Sequence, residues 1–242
     1  MERLSTLPLV TGSQMAAVDH AMVEVCGLEL LQVMEIAGRA VARVARILQP
    51  AGPVAVLCGS GGNGGDGLVC ARHLAGWGFD VRCWLVKPAD EYRGLAAHNL
   101  HVCQKLGMPI AGPADRIDLS DVDLVIDGLF GFGLSAAPSG RAADLIAAAN
   151  RSRARVLAID MPSGVDATTG VAFPSSIVAD VTLTLGLPKV GLLVEGGPIH
   201  AGSVVVADIG IPAAAYAAAG IPVTSIFDAA EFVTLDGQPW PS

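Results

Sequence analysis

Two rhythms of apolar and polar positions alternate along the chain. Near the amino end, apolar residues recur at steps of three and four. Leu31, Met34, Ala37, Val41, Val44 and Leu48 form one stripe, which predicts a helix over Leu28 to Leu48 with a single buried face. Pro50 stops it. A shorter helix is expected before it, over Gln14 to Cys26, capped by Ser13 and closed by Gly27. From Val54 onward, short apolar runs without alternation appear: Val54–Cys58, Asp80–Val86, Asp123–Ile126, Arg155–Ile159, Ala179–Leu185 and Ser203–Ala207. Such runs suit parallel strands covered on both faces. Helical patterns over Leu68–Gly78, Arg93–Leu106 and Arg141–Asn150 lie between them. Strands alternating with helices imply a doubly wound α/β fold with a mostly parallel sheet. After Pro212 the pattern lapses into alanine-rich Ala213–Ala219 and a turn-rich ending, Gly237–Ser242. The expectation is one domain over residues 1–212, followed by a loosely attached tail or linker over 213–242.

Composition narrows the class. Of 242 residues, 52% are hydrophobic, ample for a buried core, and the net charge of −8 argues against nucleic acid as the default partner. Arg39, Arg43 and Arg46 on the polar side of the long helix read as a solvated face. Cys26, Cys58, Cys70, Cys83 and Cys103 are never spaced Cys-x-x-Cys and read as reduced, buried thiols. Met1 to Thr11 lacks the pattern of a signal peptide, and no apolar run approaches the roughly 20 residues that span a bilayer. A cytoplasmic protein without membrane attachment is expected.

Chemistry concentrates in three stretches that leave the carboxyl ends of predicted parallel strands: Gly59–Gly67, Asp127–Ser135 and Asp160–Asp166. In open α/β sheets, ligands bind beyond those ends, so the three are expected to meet. The first, with six glycines, offers bare backbone N–H groups and a helix start, the arrangement that cradles phosphate. It formally matches Gly-x-Gly-x-x-Gly, yet the second strand ends at Lys87 where a dinucleotide site would place an acid, and Asp66-Gly67 stands where a P-loop has Lys-Ser/Thr. An ordinary NAD-dependent oxidoreductase and an NTPase are both poorly supported. In the second stretch, Gly131 and Gly133 permit close approach of backbone to a ligand. The third delivers Asp160 into a Pro-Ser-Gly turn. None of the five histidines falls in these stretches, which disfavours a Ser-His-Asp hydrolase.

Asp66, Asp127 and Asp160 would then crowd a crevice that also receives an anion. Like charges at about 4 Å repel by roughly 4 kcal/mol at intermediate dielectric. Either the acids lie away from the phosphate, or one is protonated, or a cation intervenes. The Asn63 amide, the Asp127 carboxylate, the Ser163 hydroxyl and loop carbonyls offer oxygen ligands only, which suits a hard and, given so few full charges, monovalent ion.

Taken together, Ser13-Gln-Met, Met34-Glu-x-Ala-Gly38, the Gly59–Gly67 loop, Asp127-x-x-Phe130-Gly131-x-Gly133 and Asp160-x-Pro162-Ser163-Gly164-x-Asp166 resemble the NAD(P)H-hydrate epimerase family, that of the YjeF N-terminal domain, over about Ser13 to Pro212. The resemblance implies a Rossmann-like three-layer α/β/α sandwich, commonly a homodimer. It also implies an isomerase that interconverts the R and S hydrates of NADH and NADPH, NADHX and NADPHX, for repair by a separate dehydratase. It implies potassium held by Asn63, Asp127 and Ser163. The substrate would contact Gly62, Asn63, Gly64, Gly65 and Asp66, then Gly131, Phe132, Gly133, Leu134, Ser135, Ala136 and Ala137, and Asp160. Asp160 is the expected catalytic acid or base, in an apolar crevice able to raise its pKa. Lys87, which ends the second strand, and Lys189 could each stabilise negative charge, but both read first as surface lysines. Two departures stand out: Gly62 replaces the first of two asparagines usual in the first loop, and Ile36 replaces an asparagine. The alternative is a non-catalytic nucleotide- or protein-binding module on the same fold.

Overall fold

A computed structural model describes residues 5–223, 226–228 and 230–240. Residues 1–4 of the amino end, and residues 224, 225, 229, 241 and 242 of the expected tail, lie outside them. The elements are α1 (Gly12–Glu24), α2 (Leu30–Leu48), β1 (Val54–Cys58), α3 (Gly62–Gly76), β2 (Val81–Leu85), α4 (Gly94–Lys105), β3 (Ile110–Ala111), β4 (Leu124–Gly128), α5 (Gly140–Arg151), β5 (Arg155–Ile159), β6 (Val181–Leu185), α6 (Gly197–Ala201), β7 (Ser203–Ala207), α7 (Ala213–Ala218) and β8 (Phe232–Thr234). The strands form one sheet in the order β3-β2-β1-β4-β5-β6-β7-β8. All neighbours are parallel except β7 and β8. The chain winds outward from β1 to β3, then reverses through β4 toward β8, so β1 and β4 flank the topological switch point.

Successive strand residues feed opposite layers. Val54, Val56 and Cys58 face a core shared with α1 to α4, while Ala55 and Leu57 face one shared with Leu145 and Ile146 of α5. This is the expected three-layer sandwich. The cysteines are free thiols, four of them buried.

Helix α1 starts two residues earlier than predicted. Thr11, not Ser13, is its cap: the Thr11 hydroxyl accepts from Gln14 N at 3.2 Å, and Gln14 Oε1 accepts from Thr11 N at 2.9 Å. In α2 the inner stripe is buried as expected at Met34, Ala37, Val41 and Val44, but Leu31 is exposed.

Helix α7 and strand β8 correct the expectation of a loose tail. Helix α7 packs on α1 and buries Ala215 and Tyr216. Strand β8 adds an antiparallel edge to β7, with Val206 opposite Val233. Phe232 is buried, edge-on to Trp240 and beneath the Arg43 guanidinium, and Arg43 pairs with Glu231. Arg46 lies over Trp77, so of the three arginines read as solvated only Arg39 is simply exposed. A three-residue strand after an alanine-rich helix carries too little periodicity to show in sequence.

Candidate active site

The glycine-rich stretch is mostly helix. Only Gly59–Gly61 turn; α3 begins at Gly62, with Gly61 as its cap. A Cβ at Gly64 would lie 2.8 Å from Gly59 N and nearer still to its carbonyl, so the helix can start directly beyond the strand only with glycine there. Low glycine helix propensity placed the start too late in the sequence reading, and packing overrode it. The open N–H groups of the first turn therefore point at the switch point.

The other two stretches close on this turn. Gly131 is wedged between side chains: a Cβ there would lie 3.1 Å from Asn63 Oδ1 and 3.0 Å from Asp160 Oδ2. Asp127 and Ser163 lock β4 to β5. Ser163 Oγ donates to Asp127 Oδ1 at 2.6 Å, Ser163 N donates to Oδ2 at 2.8 Å, and Leu129 N donates to Oδ1 at 3.2 Å. Phe130 N then donates to Ser163 Oγ at 2.9 Å. Both residues are fully buried behind the cleft wall.

A cavity of about 530 Å³ opens between these stretches, α1 and α2, a size typical of small-molecule sites. Of the residues expected at the site, Gly62, Asn63, Asp66, Gly131, Phe132, Gly133, Leu134 and Asp160 line it. Gly64 and Gly65 are packed behind the first turn, and Ser135, Ala136 and Ala137 are exposed on the loop beyond. Met15, Met22, Val33 and Met34 supply an apolar wall.

Asp160 is the centre of the cavity's polar side. Its φ of 66° places it in the left-handed region, which turns the side chain sharply off the strand tip. Oδ2 accepts from Phe132 N at 3.0 Å. Oδ1 accepts from Lys189 Nζ, and the two residues form a buried ion pair. The expected lone carboxyl in an apolar crevice is thus a paired one. Lys189 is not a surface lysine: it is 1% exposed, whereas Lys87 is exposed as read. Asp19, on α1, completes the set.

Three acids respond to this setting. Burial, with the charges of Asp160 and Asp19 added, holds the Asp66 carboxyl well above the usual carboxylate range. Burial pushes Asp19 up to about 6, opposed by the Lys189 ammonium and reinforced by Asp160. Burial pushes Asp127 up to about 6 against the pull of the Ser163 hydroxyl and nearby amides. The crowding anticipated from sequence is therefore relieved in two ways at once: burial and its acidic neighbours favour the neutral form of Asp66, and an ammonium sits on Asp160.

Sequence reasoning missed Asp19 and the role of Lys189. Each left a trace. Asp19 interrupts the apolar face of Met15 and Met22, and Lys189 is the one charged residue between Asp180 and Glu195.

The fold and the site define a doubly wound α/β domain whose cleft, at the topological switch point, joins an open helix start to a buried carboxylate–ammonium pair, without a dinucleotide fingerprint. More narrowly, residues 30–191 match YjeF-related protein N-terminus, and the chain belongs to that family. It is 35% identical over 215 residues to NAD(P)H-hydrate epimerase of Rhodopirellula baltica, covering 88% of each chain. It is 39% identical over 217 residues to the bifunctional NAD(P)H-hydrate repair enzyme Nnr of Moorella thermoacetica, covering 84% of this chain and 41% of that one. The chain thus spans about two-fifths of the length of such bifunctional relatives. The crystal structure of yeast ynu0, YNL200c, superposes with a TM-score of 0.79 over 94% of this chain and 100% of the other at 22% identity, which shows the shared fold. Among the described residues, no helix is long and apolar enough to cross a membrane.

Proposed function

We propose that the chain is an NAD(P)H-hydrate epimerase acting in the cytoplasm on the R and S hydrates of NADH and NADPH. The observation that carries the reading is Asp160: a carboxylate aimed into a mostly apolar-walled cavity, held at both oxygens and opposite the open start of α3. The hydrated nicotinamide carbon is a carbinolamine. Asp160 Oδ2 takes the proton of its hydroxyl, and Asp66, whose neutral form burial favours, supplies one to the ring nitrogen as the carbon–nitrogen bond opens. Reclosure on the other face of the aldehyde returns both protons and inverts the centre. The first turn of α3 receives the pyrophosphate. Lys87, exposed just past β2, offers no ribose-binding carboxylate, which speaks against hydride transfer from intact NAD.

Asn63, Asp127 and Ser163 fit a potassium ion. The buried Asn63 amide nitrogen has no hydrogen-bond partner, so that amide is free to turn its oxygen to an ion. Asp127 is a fully buried carboxylate whose hydrogen-bond partners are all neutral. When bound, the ion supplies the positive charge that Asp127 lacks and braces the loops that carry the substrate contacts. The reading includes a homodimer, as is common in the family, and a dehydratase on a separate chain that consumes the epimerised product.

The test mixes the protein with the R hydrate and a stereospecific dehydratase, and follows the return of reduced-nicotinamide absorbance. A rate above the spontaneous one is expected, and Asp160→Asn removes the excess while the fold persists by circular dichroism. A wild-type rate equal to the spontaneous rate overturns the reading.

A further inference from the structure

Lys189 is buried with Asp160 at the wall of the cavity, but its ammonium has no donor left for a ligand. An ammonium has three N–H donors, and all three are spent. They go to Asp160 Oδ1, to Leu185 O at 2.8 Å and to Thr184 Oγ1 at 3.3 Å. The lysine main chain is pinned as well: Val10 N donates to Pro188 O at 3.0 Å and Val190 N to Val10 O at 2.9 Å, in a parallel bridge between Val10 and Lys189. Asp160 is thus gripped on Oδ1 by Lys189 from the β6 side and on Oδ2 by the Phe132 amide from the β4 side. Oδ2 has a lone pair left over, and it is the oxygen that lies beside Gly131 and the Asn63 side chain.

We infer that Lys189 is a positioning residue for the epimerisation proposed above. By occupying Oδ1, it fixes the carboxylate plane and leaves Oδ2 as the oxygen that meets the substrate hydroxyl. As a stabilising device the pair makes little sense, because burying two charges recovers little over a well-packed apolar pair. As an aiming device it does, because a base within a cleft must hold its geometry before the substrate arrives. Other charged groups close to the pair are Asp19 from α1 and Asp66 from α3. Neither supplies a cation, and the other donor to Oδ1, Leu185 N, stands at 3.4 Å, too long a bond to hold the carboxylate by itself.

The inference rests on the epimerase reading, and the same coupled assay separates the two. A wild-type protein without activity sinks the function; an active wild type with an indifferent Lys189 sinks only the inference. Lys189→Met and Lys189→Ala are expected to lower kcat by about 10²-fold or more, the scale of a misplaced general base, with KM nearly unchanged since the ammonium spares no donor for substrate. Ethylammonium added to Lys189→Ala restores kcat saturably, because it can re-enter the vacated space and donate to Oδ1. Tetramethylammonium, which has no N–H, does not. Asp160→Asn is rescued by neither. If the lysine variants fail to fold, Thr184→Val, which removes one anchor and keeps the charge, still lowers kcat with KM unchanged. Unchanged kcat in the folded variants, a rise in KM in place of the fall in kcat, or an inactive Lys189→Ala that ethylammonium leaves inactive would overturn it.

Discussion

Two glycines of the first turn of α3 are expected to respond oppositely to alanine. At Gly64 the new methyl group would meet Gly59 N at 2.8 Å and its carbonyl sooner, and the obstacle is main chain that cannot rotate aside. The start of α3 must therefore withdraw from β1. Overpacking of this kind costs about 1–3 kcal/mol, and an unyielding backbone puts it toward the upper end. At Gly62 nothing lies within 4 Å of the added Cβ, and the position is the first residue of α3. There alanine is expected to stabilise by about 0.4–1 kcal/mol, by narrowing the unfolded ensemble. The two variants thus differ by roughly 2–4 kcal/mol, or about 4–16 °C in Tm for a chain of this size. Thermal melts followed by circular dichroism, with urea titrations to confirm unchanged m-values, measure the gap. Equal melting temperatures for Gly64→Ala and Gly62→Ala would refute the claim that the strand-to-helix junction is closed by contact at Gly64.

Two further outcomes are expected. Asp19 titrates at about 6 in the folded chain against an ordinary value of 3.8, so its contribution is fully present below the unfolded value and lost as pH rises through about 6. Asp19→Asn should therefore gain on the order of 1 kcal/mol over wild type near neutral pH and nothing below about pH 4; urea midpoints that differ equally at both would contradict this. Exchanging potassium for tetramethylammonium in the buffer should lower both turnover and Tm of the wild type and leave the Tm of Asp127→Asn unmoved, and a wild-type protein indifferent to the exchange would remove the ion from the site.

Most of the fold could be read from the chain because parallel strands are apolar throughout and end at abrupt turns. The spans Val54–Cys58, Arg155–Ile159 and Ser203–Ala207 coincide with β1, β5 and β7. The convergence of three remote stretches was legible too, since it follows from the direction of parallel strands. What escaped reading was decided by contacts rather than pattern. The early start of α3 depends on Gly64 meeting Gly59, and β8 depends on an edge that β7 happens to leave open. Lys189 looked ordinary because a lysine is usually at the surface; only its position beside Asp160 in three dimensions explains its burial.

The left-handed backbone at Asp160 limits how this chemistry can be inherited. A residue at φ 66° sends its side chain along a path that extended neighbours cannot reproduce, so moving the acid to position 159 or 161 would aim it into the layers of the sandwich. Few residue types settle in that conformation, asparagine and aspartate foremost among the non-glycines. Asparagine is thus the replacement that keeps the turn at position 160 while removing the acid, so Asp160→Asn separates the chemistry proposed for this carboxyl from the shape of its loop.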